Sequence, residues 1–199
     1  MGRLVPVERY VKSLAVLVSF MLLADCGATA AGQKKPTPSP SPTPQRATGP
    51  GVSIQVPQSW VVDTSVAFAN ARFTANSEPV LGLIDLYSSA NQIGIFRQTF
   101  ASIAADFGHT PTLDQISRVG LVSIARGRGC PAQTPQPTAR QVGGGEGEYG
   151  DIDCPPLRVR VLFTIHQPHV YVAILVSKVT AFDTNSTIFD TAITSWQWT

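Results

Sequence analysis

The strongest constraint on folding lies near the C-terminal end, where two apolar runs flank four turn-forming residues. In residues 157–165, Leu157, Val159, Val161, Phe163 and Ile165 occupy one side of an extended chain, and Arg158, Arg160 and Thr164 occupy the other. That alternation has the period of a β-strand with one face buried. His166, Gln167, Pro168 and His169 follow as a turn, and residues 170–176 return as an apolar run with no polar face. A strand of that kind must be covered on both sides, so it belongs in the middle of a sheet with a layer above and a layer below.

The rest of the chain supplies those layers. Residues 52–56 alternate as a strand, Pro57 and Ser59 break it, and Trp60 follows. Residues 72–74 add a short strand, and residues 80–87 read as another central one. Ile93, Phe96, Phe100, Ile103, Ala104 and Phe107 recur at intervals of three and four. This predicts a helix capped by Ser88 or Ser89 and ended by Gly108. Residues 119–125 read as a strand and residues 127–145 as a long loop rich in Pro, Gly and Gln. Ile188, Phe189, Ala192, Ile193 and Trp196 place an apolar stripe on a closing helix over residues 183–196. Strands in series with one helix in the middle and one at the end predict an α+β fold, a mostly antiparallel sheet flanked by helices.

The N-terminal fifty residues have a different composition. Arg3, Arg9 and Lys12 outweigh Glu8, and residues 13–24 form an apolar run that ends after 12 residues at Asp25. A membrane-spanning helix needs about 20 apolar residues, so residues 1–30 read as an export signal. Leu23-Ala24-Asp25-Cys26 resembles the bacterial lipobox, in which the Cys is acylated and becomes the new N-terminus. Asp25 departs from the small residue usual before that Cys, and Ala28-Thr29-Ala30 offers a competing cut for ordinary secretion. Residues 31–50 alternate Pro with Ser or Thr through their centre. They read as a semi-rigid extended spacer of about 3.1 Å per residue, leaving one domain over residues 51–199.

The strand, Pro-x-x-Trp, strand opening over residues 52–62, the mid-domain helix, the long hairpin and the closing Ser195-Trp196-Gln197-Trp198 together resemble the PsbP-like superfamily, which includes LpqN-type bacterial lipoproteins. The resemblance covers most of residues 51–199. It implies an α/β/α sandwich and a binding or assembly role rather than catalysis, and it carries no set of functional residues onto this chain.

The candidate chemistry is sparse. Cys130 and Cys154 are the only thiols of the domain, and in an oxidising compartment such a pair is expected to form a disulfide. His166 and His169 straddle the hairpin turn, and His109 is the third imidazole. With no third ligand in view they read as turn residues rather than a zinc site. Glu146, Glu148, Asp151 and Asp153 could gather on one face for calcium, but they lack the pattern of a calcium loop and read as a solvated face. Residues 143–147 lack the Lys and Ser or Thr of a phosphate loop, and no G-x-S-x-G is present. Trp60, Trp196 and Trp198 read as core lids in preference to a carbohydrate platform. A net charge of +2 with scattered Lys and Arg gives no basic face for nucleic acid. The expectation is an extracytoplasmic module, held at the membrane through Cys26 or secreted. It would use no cofactor or metal and bind an envelope protein or a small apolar ligand, and the rival reading is a hydrolase of envelope polymers.

Overall fold

A computed structural model of the chain describes residues 43–63 and 77–199. Seven strands form one antiparallel sheet in the order β3-β4-β5-β9-β8-β7-β6, and three more form a small sheet in the order β1-β2-β10. In chain order these are β1 (Gln45–Gly49), β2 (Val52–Val56), β3 (Trp60–Val62), β4 (Glu78–Asp85), β5 (Ser88–Thr99), α1 (Phe100–Phe107), α2 (Leu113–Gly127), β6 (Thr138–Val142), β7 (Gly145–Cys154), β8 (Leu157–His166), β9 (His169–Lys178), α3 (Phe182–Thr194) and β10 (Gln197–Trp198). The expected α+β sandwich is what forms.

Strands β8 and β9 pair over their full length, from Leu157 opposite Lys178 to His166 opposite His169. Residues 170–177 of β9 are all buried, as their unbroken apolar character requires. Through Phe163, Val172 and Ile174 one face of the sheet packs on Ile116 and Leu121 of α2. Through Leu162, Ala173 and Leu175 the other face packs on Phe189 and Ile193 of α3 and on Ile54 of the small sheet. The seven-stranded sheet therefore has a helical layer on one side and a mixed layer on the other.

Four expectations are corrected. The helix expected over residues 88–107 is a twelve-residue strand followed by an eight-residue helix. Apolar residues lie on both faces of this segment, Ile93 and Ile95 on one and Phe96 on the other, as suits a central strand, and β5 is claimed by ladders on both sides, β4 and β9. The cap of α1 is Thr99, whose side chain accepts from the Ser102 amide at 3.3 Å, and not Ser88 or Ser89. Gly108 does end the helix, in the left-handed region at φ 70°. Residues 119–125 are helical, inside α2. Thr112 and Gln115 close a reciprocal capping box at its start, and Ile116, Leu121 and Ile124 face the sheet. The spacer gives way to structure before residue 50, because β1 pairs with β2 from Gln45 onward across a turn in which Gly51 holds φ 79°. The loop expected over residues 127–145 is ordered at its end into β6, an edge strand joined to β7 through Gly143 and Gly144. The short strand expected at residues 72–74 lies outside the described residues.

Two features fix the chain at the two ends of β7. Cys130 is bonded to Cys154 across a separation of 24 residues, with Cα atoms 4.7 Å apart, which ties the loop after α2 to the end of β7. The Gln133 side chain reinforces it by pairing with the Asp153 backbone through both its amide groups, at 2.8 and 3.0 Å. At the other end of the sheet the β6–β7 turn requires φ 55° at Gly143 and φ 81° at Gly144, the backbone of a tight hairpin of primed type. A Cβ at Gly143 would also stand 2.7 Å from Trp198 Nε1, whereas one at Gly144 would meet nothing within 4 Å.

Two outcomes follow. Replacing both cysteines by Ser lowers the unfolding free energy by about 3 kcal/mol, the loop-entropy value for this closure, with the far-UV spectrum kept; the oxidised protein yields no reactive thiol at Cys130 or Cys154 under denaturing labelling. Gly144→Ala costs about 1 kcal/mol from backbone conformation alone, and Gly143→Ala costs about 1–3 kcal/mol more because a steric clash adds to it. Chemical denaturation of the two variants side by side reads the difference.

Candidate functional site

The polar residues singled out in the sequence are mostly engaged with one another. Asp151 accepts two hydrogen bonds from the Arg160 guanidinium, at 2.8 and 3.0 Å. Asp190 of α3 receives Arg140 at 2.7 Å and Arg160 at 3.1 Å. Arg158 lies 2.9 Å from Asp153 and stacks over the Phe182 ring. Arg140 and Arg160 lie over Tyr149. Hydrogen bonding to Asp151 raises the basicity of Arg160 further, and burial opposes it. Partners on β6, β7, β8 and α3 make this a lattice that joins sheet to helix, with its carboxylates neutralised by neighbouring guanidinium groups.

The four carboxylates of β7 do not share a face. Glu148 points to the α2 side and accepts from the Ser117 hydroxyl, while Asp151 points to the α3 side. Among the described residues no three His, Cys, Asp or Glu side chains gather as metal ligands. His166 stacks on Trp198 with ring centroids 4.1 Å apart, and His169 meets Tyr171 edge-on at 6.0 Å, so the two imidazoles serve different aromatic neighbours. His109 lies edge-on to Phe107. Trp60 and Trp196 are buried in the core. Trp198 is half-buried, and its Nε1 donates to the Gly143 carbonyl at 3.1 Å. Cys26 lies outside the described residues.

Exposed apolar side chains flanked by hollows sit on α2. The stripe that packs on the sheet leaves Val119 and Val122 on the outward side, 51% and 37% exposed. They are one turn apart, so they form a ridge. On one side of it α1 and α2 leave a groove of about 200 Å³, lined by Ile103, Phe107, Ile116 and Val119, with Gln98 and Asp106 among its polar groups. On the other side Val122, Ala125 and Arg126 face Cys130, Pro131 and Gln133 across a hollow of about 330 Å³. The groove exists because α1 is held close to α2 by the short turn that leaves Gly108. The hollow exists because the disulfide holds the loop after α2 against it. Sequence reasoning missed this face, since it placed Val119 and Val122 in a strand; the Thr112–Gln115 capping box was the signal that would have found it.

The groove is small. Ligand pockets ordinarily span about 300–1,000 Å³ and bury most of their ligand. A groove of about 200 Å³ open on one side receives one apolar side chain rather than a free small molecule. Such a ridge flanked by hollows is suited to a protein surface that presents complementary apolar residues.

No protein-family model matches this sequence, and no curated protein matches it. Solved structures do. The solution structure of cyanobacterial PsbP (CyanoP) from Synechocystis sp. PCC 6803 is similar with a TM-score of 0.55 at 14% identity, over 89% of this chain and 99% of that one. A crystal structure from Bacteroides thetaiotaomicron gives 0.45 at 7% identity, over 77% of this chain and 48% of that one. The crystal structure of LpqN, involved in cell envelope biogenesis of Mycobacterium tuberculosis, gives 0.42 at 14% identity, over 79% of this chain and 90% of that one. The order of strands and helices and the match across nearly the whole of CyanoP make this a PsbP-like fold.

Proposed function

We propose that the chain is an exported, lipid-anchored, non-enzymatic module that binds a partner protein through the outer face of α2. The observation that carries the binding half is the Val119–Val122 ridge between two hollows, exposed apolar surface on a helix whose inner stripe is already buried. The size of the groove favours a side chain of a partner protein over a free apolar ligand. The partner chemistry is a branched or aromatic side chain entering between α1 and α2, with polar atoms in reach of Asp106 and Arg126 at the margins. The export half is supported by the leader over residues 1–30, by Cys26 placed at its end, and by a domain whose two cysteines are joined, which suits an oxidising compartment.

Two measurements test the two halves separately. The mature protein sediments with membranes and is released by detergent but not by salt, with acylated Cys26 as its N-terminus by intact mass; Cys26→Ser moves it to the soluble extracytoplasmic fraction. Full-length chain in the cytosol with its leader attached overturns the export half. A photo-crosslinking residue in place of Val119 gives a discrete protein adduct in intact cells, and Thr187 on α3 gives none. Val119→Asp abolishes the interaction, and because the site is half exposed it changes stability by no more than about 0.5 kcal/mol. Equal adducts from both positions overturn the binding half.

A further inference from the structure

Beyond the two valines of α2, the exposed large apolar side chains among the described residues are Val61, Val62, Leu86, Tyr87 and Val179. Leu86, Tyr87 and Val179 are 63%, 88% and 54% exposed, and they share one end of the sandwich. Leu86 and Tyr87 are the turn between β4 and β5, and Val179 follows the last residue of β9, which runs beside the start of β5 with Gln92 opposite Val176.

The turn is built rather than loose. Asp85 Oδ1 accepts from the Tyr87 amide at 3.1 Å, and its Oδ2 accepts from the Asn91 side chain at 3.1 Å. Asn91 in turn accepts from the Ser177 hydroxyl at 3.2 Å, which links the turn to the end of β9. The Leu86 amide donates to the Ser59 carbonyl at 2.8 Å. Two apolar side chains are thus held out from the sheet by a frame of hydrogen bonds. The charged groups at this end are mostly paired or flanking: Asp85 is consumed within the turn, Asp153 and Arg158 pair with each other across β7 and β8, and Lys178 and Asp183 flank the Val179 segment.

The chain enters the domain at this same end. Gln45 opens β1, and its side-chain amide donates to the carbonyls of Pro57 and Trp60, two residues before and one residue after the Ser59 that receives Leu86. Cys26 stands ahead of it by the spacer of residues 27–44. Even fully extended, at no more than about 3.6 Å per residue, that chain would hold the entry point within about 68 Å of an anchored Cys26.

We propose that the Leu86–Tyr87 turn, with Val179, is a membrane-facing tip that rests in the headgroup region of the bilayer holding the acyl chains of Cys26. The proposal rests on the reading of Cys26 as an anchor. Two side chains would bind a bilayer weakly from free solution. Tethering makes the contact intramolecular at a high effective concentration, so a weak tip is occupied. Tyrosine suits that depth, because its ring is apolar and its hydroxyl stays wet. The His166–His169 turn, at the far end of strands ten residues long, then points away from the bilayer.

The test uses full-length acylated protein reconstituted in phosphatidylethanolamine–phosphatidylglycerol vesicles. Its three cysteines are acylated or disulfide-bonded, so Leu86→Cys supplies a single thiol for a nitroxide, and Gln167→Cys supplies the control at the opposite end. The expected result is that the label at position 86 loses collisions with a water-soluble nickel complex and gains collisions with oxygen, while the label at 167 does neither. Val179→Cys gives the same pattern as Leu86→Cys, which guards against disturbance of the turn. If the protein floats with the vesicles and positions 86 and 179 are as accessible to nickel as 167, the tip is overturned and the anchor stands. If it does not float, the anchor is overturned and the tip with it. Protection of position 86 in native envelopes but not in lipid vesicles overturns the bilayer as occupant in favour of a protein.

Discussion

The pairing of β8 with β9 is the constraint on which the rest of the molecule depends. Ten residues on each side meet in register, and eight consecutive positions of β9 are buried. Each buried Val, Leu or Ile side chain there is worth roughly 1.5–3 kcal/mol only if something apolar covers it. The strand therefore demands two covering layers at once. Helices α1 and α2 meet one demand, and α3 with the small sheet meets the other. Register leaves no freedom either, since a slip by one residue would turn Arg158 and Arg160 toward α2 and Val159 and Val161 toward the ion pairs of α3.

The small sheet answers a further problem, how to bring the first strands of the domain and its last onto one layer. Strand β10 is two residues long, with Gln197 opposite Ser53 and Trp198 opposite Val52. So short a strand has little pairing energy of its own. Its place is secured by side chains: Trp198 lies against His166, Tyr171 and Trp196, and Arg46 reaches both Ser53 and Gln197. The His166–His169 hairpin that begins the central ladder is thus also the surface on which the C-terminal strand closes. This gives His166 a structural role.

Much of this was legible in the sequence, and the misses have physical causes. The hairpin, β2 and α3 have clean periodicity, and each formed as read. The Ile93-to-Phe107 segment has helical spacing, yet its first part, with Ile93 and Ile95 on one face and Phe96 on the other, is also apolar on both sides as a central strand is. Its choice of strand as far as Thr99 is made by β4 and β9, neighbours that no local window contains. Gly94 contributes, because a Cβ there would stand 2.9 Å from the Phe96 ring. Helix α2 was misread because Val119, Val122 and Ile124 favour strands, yet its capping box and the spacing of Ile116, Leu121 and Ile124 were present. The candidate site shared the fate of that helix. Val119 and Val122 become a ridge only when the chain between them turns once.

The charged groups are largely spent on one another, which leaves exposed apolar side chains as the unpaired part of the described surface. Arg140, Arg158 and Arg160 are balanced by Asp151, Asp153 and Asp190, and the pairs span three strands and a helix. Arg160 could take a substrate carboxylate only by releasing Asp151 or Asp190, and a half-buried carboxylate stripped of its partner is expensive. The lattice is therefore better suited to holding α3 on the sheet than to exchanging partners. Glu148 is held by Ser117 on the other face, which separates it from Asp151 by the thickness of the sheet. Carboxylates placed in this way fix geometry. Among the described residues, the exposed apolar side chains include Val119 and Val122 on one flank and Leu86, Tyr87 and Val179 at one end. These are different surfaces on different elements, so occupation of one by a bilayer leaves the other free for a protein.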